Sequence, residues 1–93
     1  SMSDQTPFPD DLVDVAATFA ALGSEQRLTV LRTLVRAGPD GLTAGELGQR
    51  SGVTGSTLTH HMRILAQAGL VAQTRRGRQV IAVAAAFDDI LQL

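Results

Sequence analysis

Apolar side chains recur at helical spacing in four stretches of this chain and give way to strand-like runs in a fifth. From about Asp10 to Leu22, the residues Leu12, Val15, Ala16, Phe19 and Leu22 fall on one face of a 3.6-residue period, which predicts a first helix. Asp10, Asp11 and Asp14 sit in its first turns, where negative charge suits the helix dipole, and Gly23 ends it. Ser24 is a good N-cap for a second helix reaching about Ala37. Leu28, Leu31, Leu34 and Val35 form its expected core stripe, with Arg32 and Arg36 on the opposite side. Gly38-Pro39-Asp40-Gly41 then reads as a turn.

A short third helix is expected from Thr43 to about Arg50, with Ala44 and Leu47 pointing inward. Thr43-Ala44-Gly45-Glu46 has the spacing of a capping box, in which hydroxyl and carboxylate each satisfy an orphan amide. Ser51-Gly52-Val53 is a tight connection, and Thr54 caps a fourth helix from Gly55 to about Ala68. Its inward stripe is Leu58, Met62 and Leu65, with His61 beside it, and Ser56, Thr59, His60 and Arg63 lie on the other side. Gly69 closes it, and Leu70 supplies the hydrophobic contact of the cap. Val71 to Arg75 and Arg78 to Val83 read as two strands joined by a turn at Arg76-Gly77. Phe87 to Leu93 begins a last helix, with Phe87, Ile90 and Leu91 on its apolar side. The predicted fold is therefore mainly α with a small β-hairpin, in the order α-α-α-α-β-β-α.

Ninety-three residues suggest a single domain over residues 10–93. Residues 1–9 are expected to be a disordered tail, with Ser1 before Met2 as a vector-derived scar. A domain this small has a thin core, so association with a second copy would hide apolar surface that one protomer cannot. The chain has no Cys, which excludes disulfides, thiolate metal sites and redox-active thiols within it. The polar, acidic start offers no signal peptide, and the longest apolar run, Val80 to Phe87, is far short of the ~20 residues that span a bilayer. A cytoplasmic protein with no membrane partner is expected.

Charge changes the picture. The net charge is only −1, yet no acidic residue occurs from Leu47 to Phe87. That stretch carries five of the eight cationic residues, Arg50, Arg63, Arg75, Arg76 and Arg78, and both histidines. Concentrated basicity in an otherwise near-neutral chain is what a phosphate backbone selects for. The same stretch contains most of two short helices joined by a tight Gly-containing connection, which is a helix-turn-helix pattern. In such units the second helix enters the major groove, and its early residues reach base edges. Here those are Ser56, Thr57, Thr59 and His60, followed by Arg63, which suits a phosphate or a guanine edge. The hairpin behind it carries Arg75, Arg76 and Arg78 around Gly77, a basic wing for the backbone or the adjacent minor groove. Arg50 is a further phosphate candidate that a helix C-terminus would equally accommodate.

These residues resemble the ArsR/SmtB family of bacterial winged helix-turn-helix regulators. The resemblance covers roughly Ala17 to Val83. It is carried by Phe19-Ala20-Ala21-Leu22-Gly23-Ser24-Glu25-Gln26-Arg27-Leu28 and by Leu42-Thr43-Ala44-Gly45-Glu46-Leu47. Thr57-Leu58-Thr59-His60-His61-Met62-Arg63-Ile64-Leu65, Ala68-Gly69-Leu70-Val71 and Arg75-Arg76-Gly77-Arg78 complete it. It implies a homodimer built from the first and last helices, two recognition helices meeting successive major grooves of a pseudo-palindromic operator, and an effector that alters DNA affinity. Leu12, Val15, Phe19, Phe87, Ile90 and Leu91 are the apolar residues that would form that seam.

Departures from the family pattern bear on sensing. No Cys pair stands near the third helix, and Asp88 and Asp89 are adjacent with no His beside them, so no metal site is expected. His60 and His61 point ~100° apart on a helix and do not readily converge on one ion. Gly55 occupies a position where many relatives carry a polar side chain, and the wing strands lack a Tyr. No nucleophile–base pair or phosphate loop is visible, so neither an enzyme nor a cofactor is expected. The expected function is a DNA-binding transcriptional repressor. The alternative is a winged-helix module that binds another protein and no DNA.

Overall fold

The computed structural model describes residues 19–21 and 23–85. The expected tail at residues 1–9, most of the first expected helix, Leu12 and Val15 within it, and the last segment with Phe87, Ile90 and Leu91 lie outside the described residues. Phe19 to Ala21 is helical.

Helix α1 spans Glu25–Ala37. The Ser24 hydroxyl accepts a hydrogen bond from the Arg27 amide at 3.2 Å, satisfying one donor of the first turn. Its core face is Val30, Leu31 and Leu34. The expected stripe is thus rotated: Val30 is completely buried, whereas Leu28 and Val35 are 40% and 57% exposed. On a helical wheel Leu28 and Val35 lie on one flank of Leu31 and Val30 and Leu34 on the other, and the core sits on the second flank. Arg27 donates from Nη1 to the carbonyls of Ala20 and Ala21, at 3.3 and 3.0 Å. It satisfies carbonyls that a helix end leaves open.

A 3-10 turn, Gly38–Asp40, leads into a two-residue strand β1, Leu42–Thr43. This strand is an addition to the expected hairpin. It pairs antiparallel with β3, Gln79–Ala84, which also pairs with β2, Val71–Arg76, giving the order β1-β3-β2. Gly41, at φ 67°, makes the approach possible: a Cβ there would stand 2.3 Å from the Ala82 carbonyl oxygen.

Helix α2, Ala44–Ser51, begins with the expected capping box. The Glu46 amide donates to the Thr43 hydroxyl at 3.2 Å, and the Thr43 amide donates to the Glu46 carboxylate at 2.9 Å. The bond from the Thr43 amide, reinforced by the Thr43 side chain, holds the Glu46 carboxyl below its ordinary range. Leu47 and Gly48 are buried, and Ala44 is exposed rather than inward. Helix α3, Gly55–Gln67, ends in a Schellman arrangement: the Gly69 amide donates to the Ala66 carbonyl and the Leu70 amide to the Leu65 carbonyl, both at 3.0 Å. Leu65 and Leu70 are buried together with Leu34, Leu47, Leu58 and Met62 in one cluster that joins all three helices to the sheet.

Candidate nucleic-acid interface

The unit that could read DNA is α2, its turn and α3, braced by the sheet. Gly52 adopts the left-handed conformation and its amide donates to the Gly48 carbonyl at 2.9 Å, which ends α2 abruptly. Gly48 faces the turn. A Cβ there would lie 3.1 Å from Thr54 Cγ2 and 3.4 Å from the Val53 carbonyl, so the missing side chain lets the two helices close on each other.

Helix α3 is anchored from below by Leu58, Met62 and Leu65, all buried. On its flank His61 is also buried, and its Nε2 lies 3.2 Å from the Gln26 Oε1 of α1. With an oxygen as partner, Nε2 carries the proton and Nδ1 is a buried acceptor without a partner among the described residues. Burial first, then the Arg27 and His60 charges, hold the His61 imidazole below its ordinary pKa of 6.5. His61 is therefore a neutral structural strut. Its ring centroid is 5.5 Å from that of His60, whose side chain is exposed. No cluster of metal-ligating residues occurs among the described residues.

Anchoring one side of α3 fixes what the other presents. Ser56, Thr57, Thr59, His60 and Arg63 are all exposed. The Thr59 hydroxyl donates to the Gly55 carbonyl at 3.3 Å, which leaves its lone pairs free to accept. The first turn contains no acidic residue, and Thr54 forms no side-chain cap bond, so the leading amides of α3 meet no competing carboxylate there. Gly55 has φ 63°, a conformation that a residue with a side chain would adopt only with strain. Arg50 is exposed in the last turn of α2.

The wing differs from expectation by one residue. Arg76 pairs with Gln79, so the loop is Gly77-Arg78 and not Arg76-Gly77. Gly77 has φ 62° and no non-glycine residue among the described residues has positive φ, the pattern of a type II′ hairpin turn. The register assigns the arginines to faces. Gln73 pairs with Ala82 and Arg75 with Val80, so these four share one face of the sheet. Thr74, Arg76, Gln79 and Ile81 share the other.

Three of the first four, Gln73, Val80 and Ala82, line an open cleft of about 560 Å³ against α3. Thr59, Arg63 and Gln67 line its helix side. Arg75 therefore stands on the sheet face turned toward α3, and Arg76 on the face turned away. Gln67, Gln73 and Val80 were not marked by the sequence, because they are uncharged and only the pairing register brings them together.

Comparison with known proteins places this arrangement. A family described as a helix-turn-helix domain matches residues 22–74. An HTH-type transcriptional regulator of Bacillus subtilis, YceK, is 36% identical over 63 residues, which are 68% of this chain and 62% of that protein. A second curated relative is covered over only 53% of its length, so the chain spans less than two thirds of both. An ArsR-like transcriptional regulator from Rhodococcus sp. RHA1 superposes with a TM-score of 0.76 at 27% identity, over 88% of this chain and 74% of that one. The homodimeric winged helix-turn-helix domain of Mb0332 from Mycobacterium bovis, at 22% identity, shares the fold with a TM-score of 0.75 over 95% and 82% of the two chains. These relatives are regulators rather than enzymes. No helix among the described residues is long and apolar enough to cross a membrane. The chain belongs to the helix-turn-helix domain family, in its ArsR-like winged-helix form.

Proposed function

We propose that this chain is the DNA-binding unit of a dimeric transcriptional repressor acting on a pseudo-palindromic operator. One observation carries the reading. An acid-free segment supplies both the exposed face of α3 and a wing whose Arg75 lies on the sheet face turned toward that helix. In this reading Ser56, Thr57, Thr59 and His60 meet base edges in the major groove. Arg63 and Arg50 bind phosphate, and Arg75, Arg76 and Arg78 hold the backbone or the neighbouring minor groove.

Dimerisation through Phe19, with Leu12, Val15, Phe87, Ile90 and Leu91, supplies the second half-site. Phe19 is 73% exposed and offers apolar surface that a second copy would cover. The Mycobacterium bovis domain with this fold is a homodimer. A two-fold dimer then dictates an inverted repeat with half-sites about one helical turn (~34 Å) apart, or a multiple of that.

Selecting bound fragments from genomic DNA, with sedimentation of the complex, tests this. An inverted repeat occupied by two protomers is expected. Sequence-blind recovery, or no retention of DNA at low salt, would contradict it, and the latter would favour a protein-binding module.

A further inference from the structure

Of the residues lining the cleft between α3 and the wing, only Thr59 and Arg63 have a role in the contacts assigned so far. A duplex that receives a helix in one groove and a hairpin in the next has a sugar–phosphate ridge between those grooves. That ridge must cross the protein surface lying between helix and hairpin. Here that surface is the cleft of about 560 Å³. Its floor is apolar, formed by Leu47, Leu58, Met62 and Ala82, while its helix side carries Thr59, Arg63 and Gln67 at four-residue spacing and its sheet side Gln73 and Val80. Val80 is 43% exposed, although it belongs to a strand. No acidic residue lines the cleft among the described residues. Arg75, paired with Val80, stands on the same sheet face nearer the wing tip.

We propose that this cleft seats the sugar–phosphate ridge. Arg63 from the helix side and Arg75 from the sheet side flank a phosphate. The carboxamides of Gln67 and Gln73 donate to its oxygens, and Val80 packs against a deoxyribose. The inference rests on the DNA-binding reading and adds to it two neutral contacts and an apolar one. The two parts of the cleft fit the two parts of the ridge: Arg63, Gln67 and Gln73 suit phosphate oxygens, and the apolar lining with Val80 suits the sugar's carbon face.

Neutral and charged contacts leave different signatures. Only a cation releases counterions from the duplex, so Arg63→Ala and Arg75→Ala should each reduce the slope of log affinity against log salt by about 0.9. Gln67→Ala and Gln73→Ala should each weaken binding about 2- to 10-fold for specific and random duplexes alike, with the slope unchanged. Ala66→Trp, at an exposed position on the cleft's helix side, should fill the cleft and abolish binding to both. Titration of fluorescent duplexes at several salt concentrations reads all five variants, with circular dichroism establishing that each is folded. If folded Ala66→Trp binds as tightly as the parent protein, or if both Gln variants are neutral, the ridge does not lie in the cleft. DNA binding itself would then still stand. A parent protein that binds no duplex at low salt would overturn both.

Discussion

His61 Nε2 on α3 lies 3.2 Å from Gln26 Oε1 on α1, a polar contact between two helices whose other buried residues, among those described, are apolar. Together with the buried Leu58, Met62 and Leu65 it fixes the rotation of α3 about its axis, because the ring is buried and has no other partner among the described residues. Turning α3 to present Thr59 and His60 differently would strip a buried imidazole of its hydrogen bond, which costs about 1–3 kcal/mol.

The pH dependence of stability follows. His61 is harder to protonate in the folded chain than in the unfolded one, whose imidazole titrates near 6.5. Below that value the unfolded chain binds more protons, so stability falls as pH falls through 6.5 and levels off below the lower native value. Urea midpoints should drop from pH 7.5 to pH 5.5. In His61→Gln, which keeps a donor for Gln26 and cannot titrate, that part of the drop should vanish. An unchanged pH profile in the variant would remove His61 as its source.

Two glycines separate conformational need from mere presence. At Gly45 a Cβ would meet nothing within 4 Å and the backbone is helical, so Gly45→Ala should stabilise the protein by about 0.5 kcal/mol. At Gly41 the same change meets φ 67° and a backbone oxygen at 2.3 Å, and should cost more than about 2 kcal/mol by detaching β1 from β3. Thermal melts of the two variants should shift in opposite directions.

The wing arginines should not be equivalent. Arg75 shares the face of Gln73 and Val80, whereas Arg76 shares the face of Thr74 and Gln79. Arg75→Ala should weaken duplex binding more than Arg76→Ala, by roughly a factor of ten if a charge-assisted bond worth about 1.5 kcal/mol or more is lost. Equal losses, measured by fluorescence anisotropy at one salt concentration, would mean that the wing lies along DNA by its tip and not by its face.

Thr59 and His60 should govern which sequence is bound. Thr59→Ala and His60→Ala should each change the preferred bases in a selection experiment, costing about 1–3 kcal/mol of discrimination at one position. If both variants keep the parent's sequence preference and lose only general affinity, their contacts are to the backbone.

Much of this was legible in the sequence, for local reasons. The capping box at Thr43 and Glu46, the Gly69-Leu70 cap and the period of α3 are short-range signals, and each appears in the fold as read. Strand β1 was not legible, because two residues are too few to show a period, and its existence depends on Gly41 meeting β3 forty residues away. The phase of α1 was not legible, because Leu28, Val30, Leu31, Leu34 and Val35 spread over about 160° of the helical wheel, wider than the face that packs. Only tertiary packing chooses Val30 and Leu34 over Leu28 and Val35. At the candidate site, charge marked the arginines but could not orient them. Which face of the sheet turns toward α3 is set by tertiary packing, so Arg75 is assigned to it only through its pairing with Val80, which lines the cleft against α3.

The most direct measurement is to add duplex to isotopically labelled protein and map which backbone amides shift. Amides from Ser56 to Arg63, of Gln73 and Arg75 and of the Gly77-Arg78 loop should respond together, while the α1 amides from Val30 to Leu34 stay put. Shifts confined to the wing, or centred on Phe19 and α1 with α3 silent, would show that helix and hairpin do not engage the duplex as one surface.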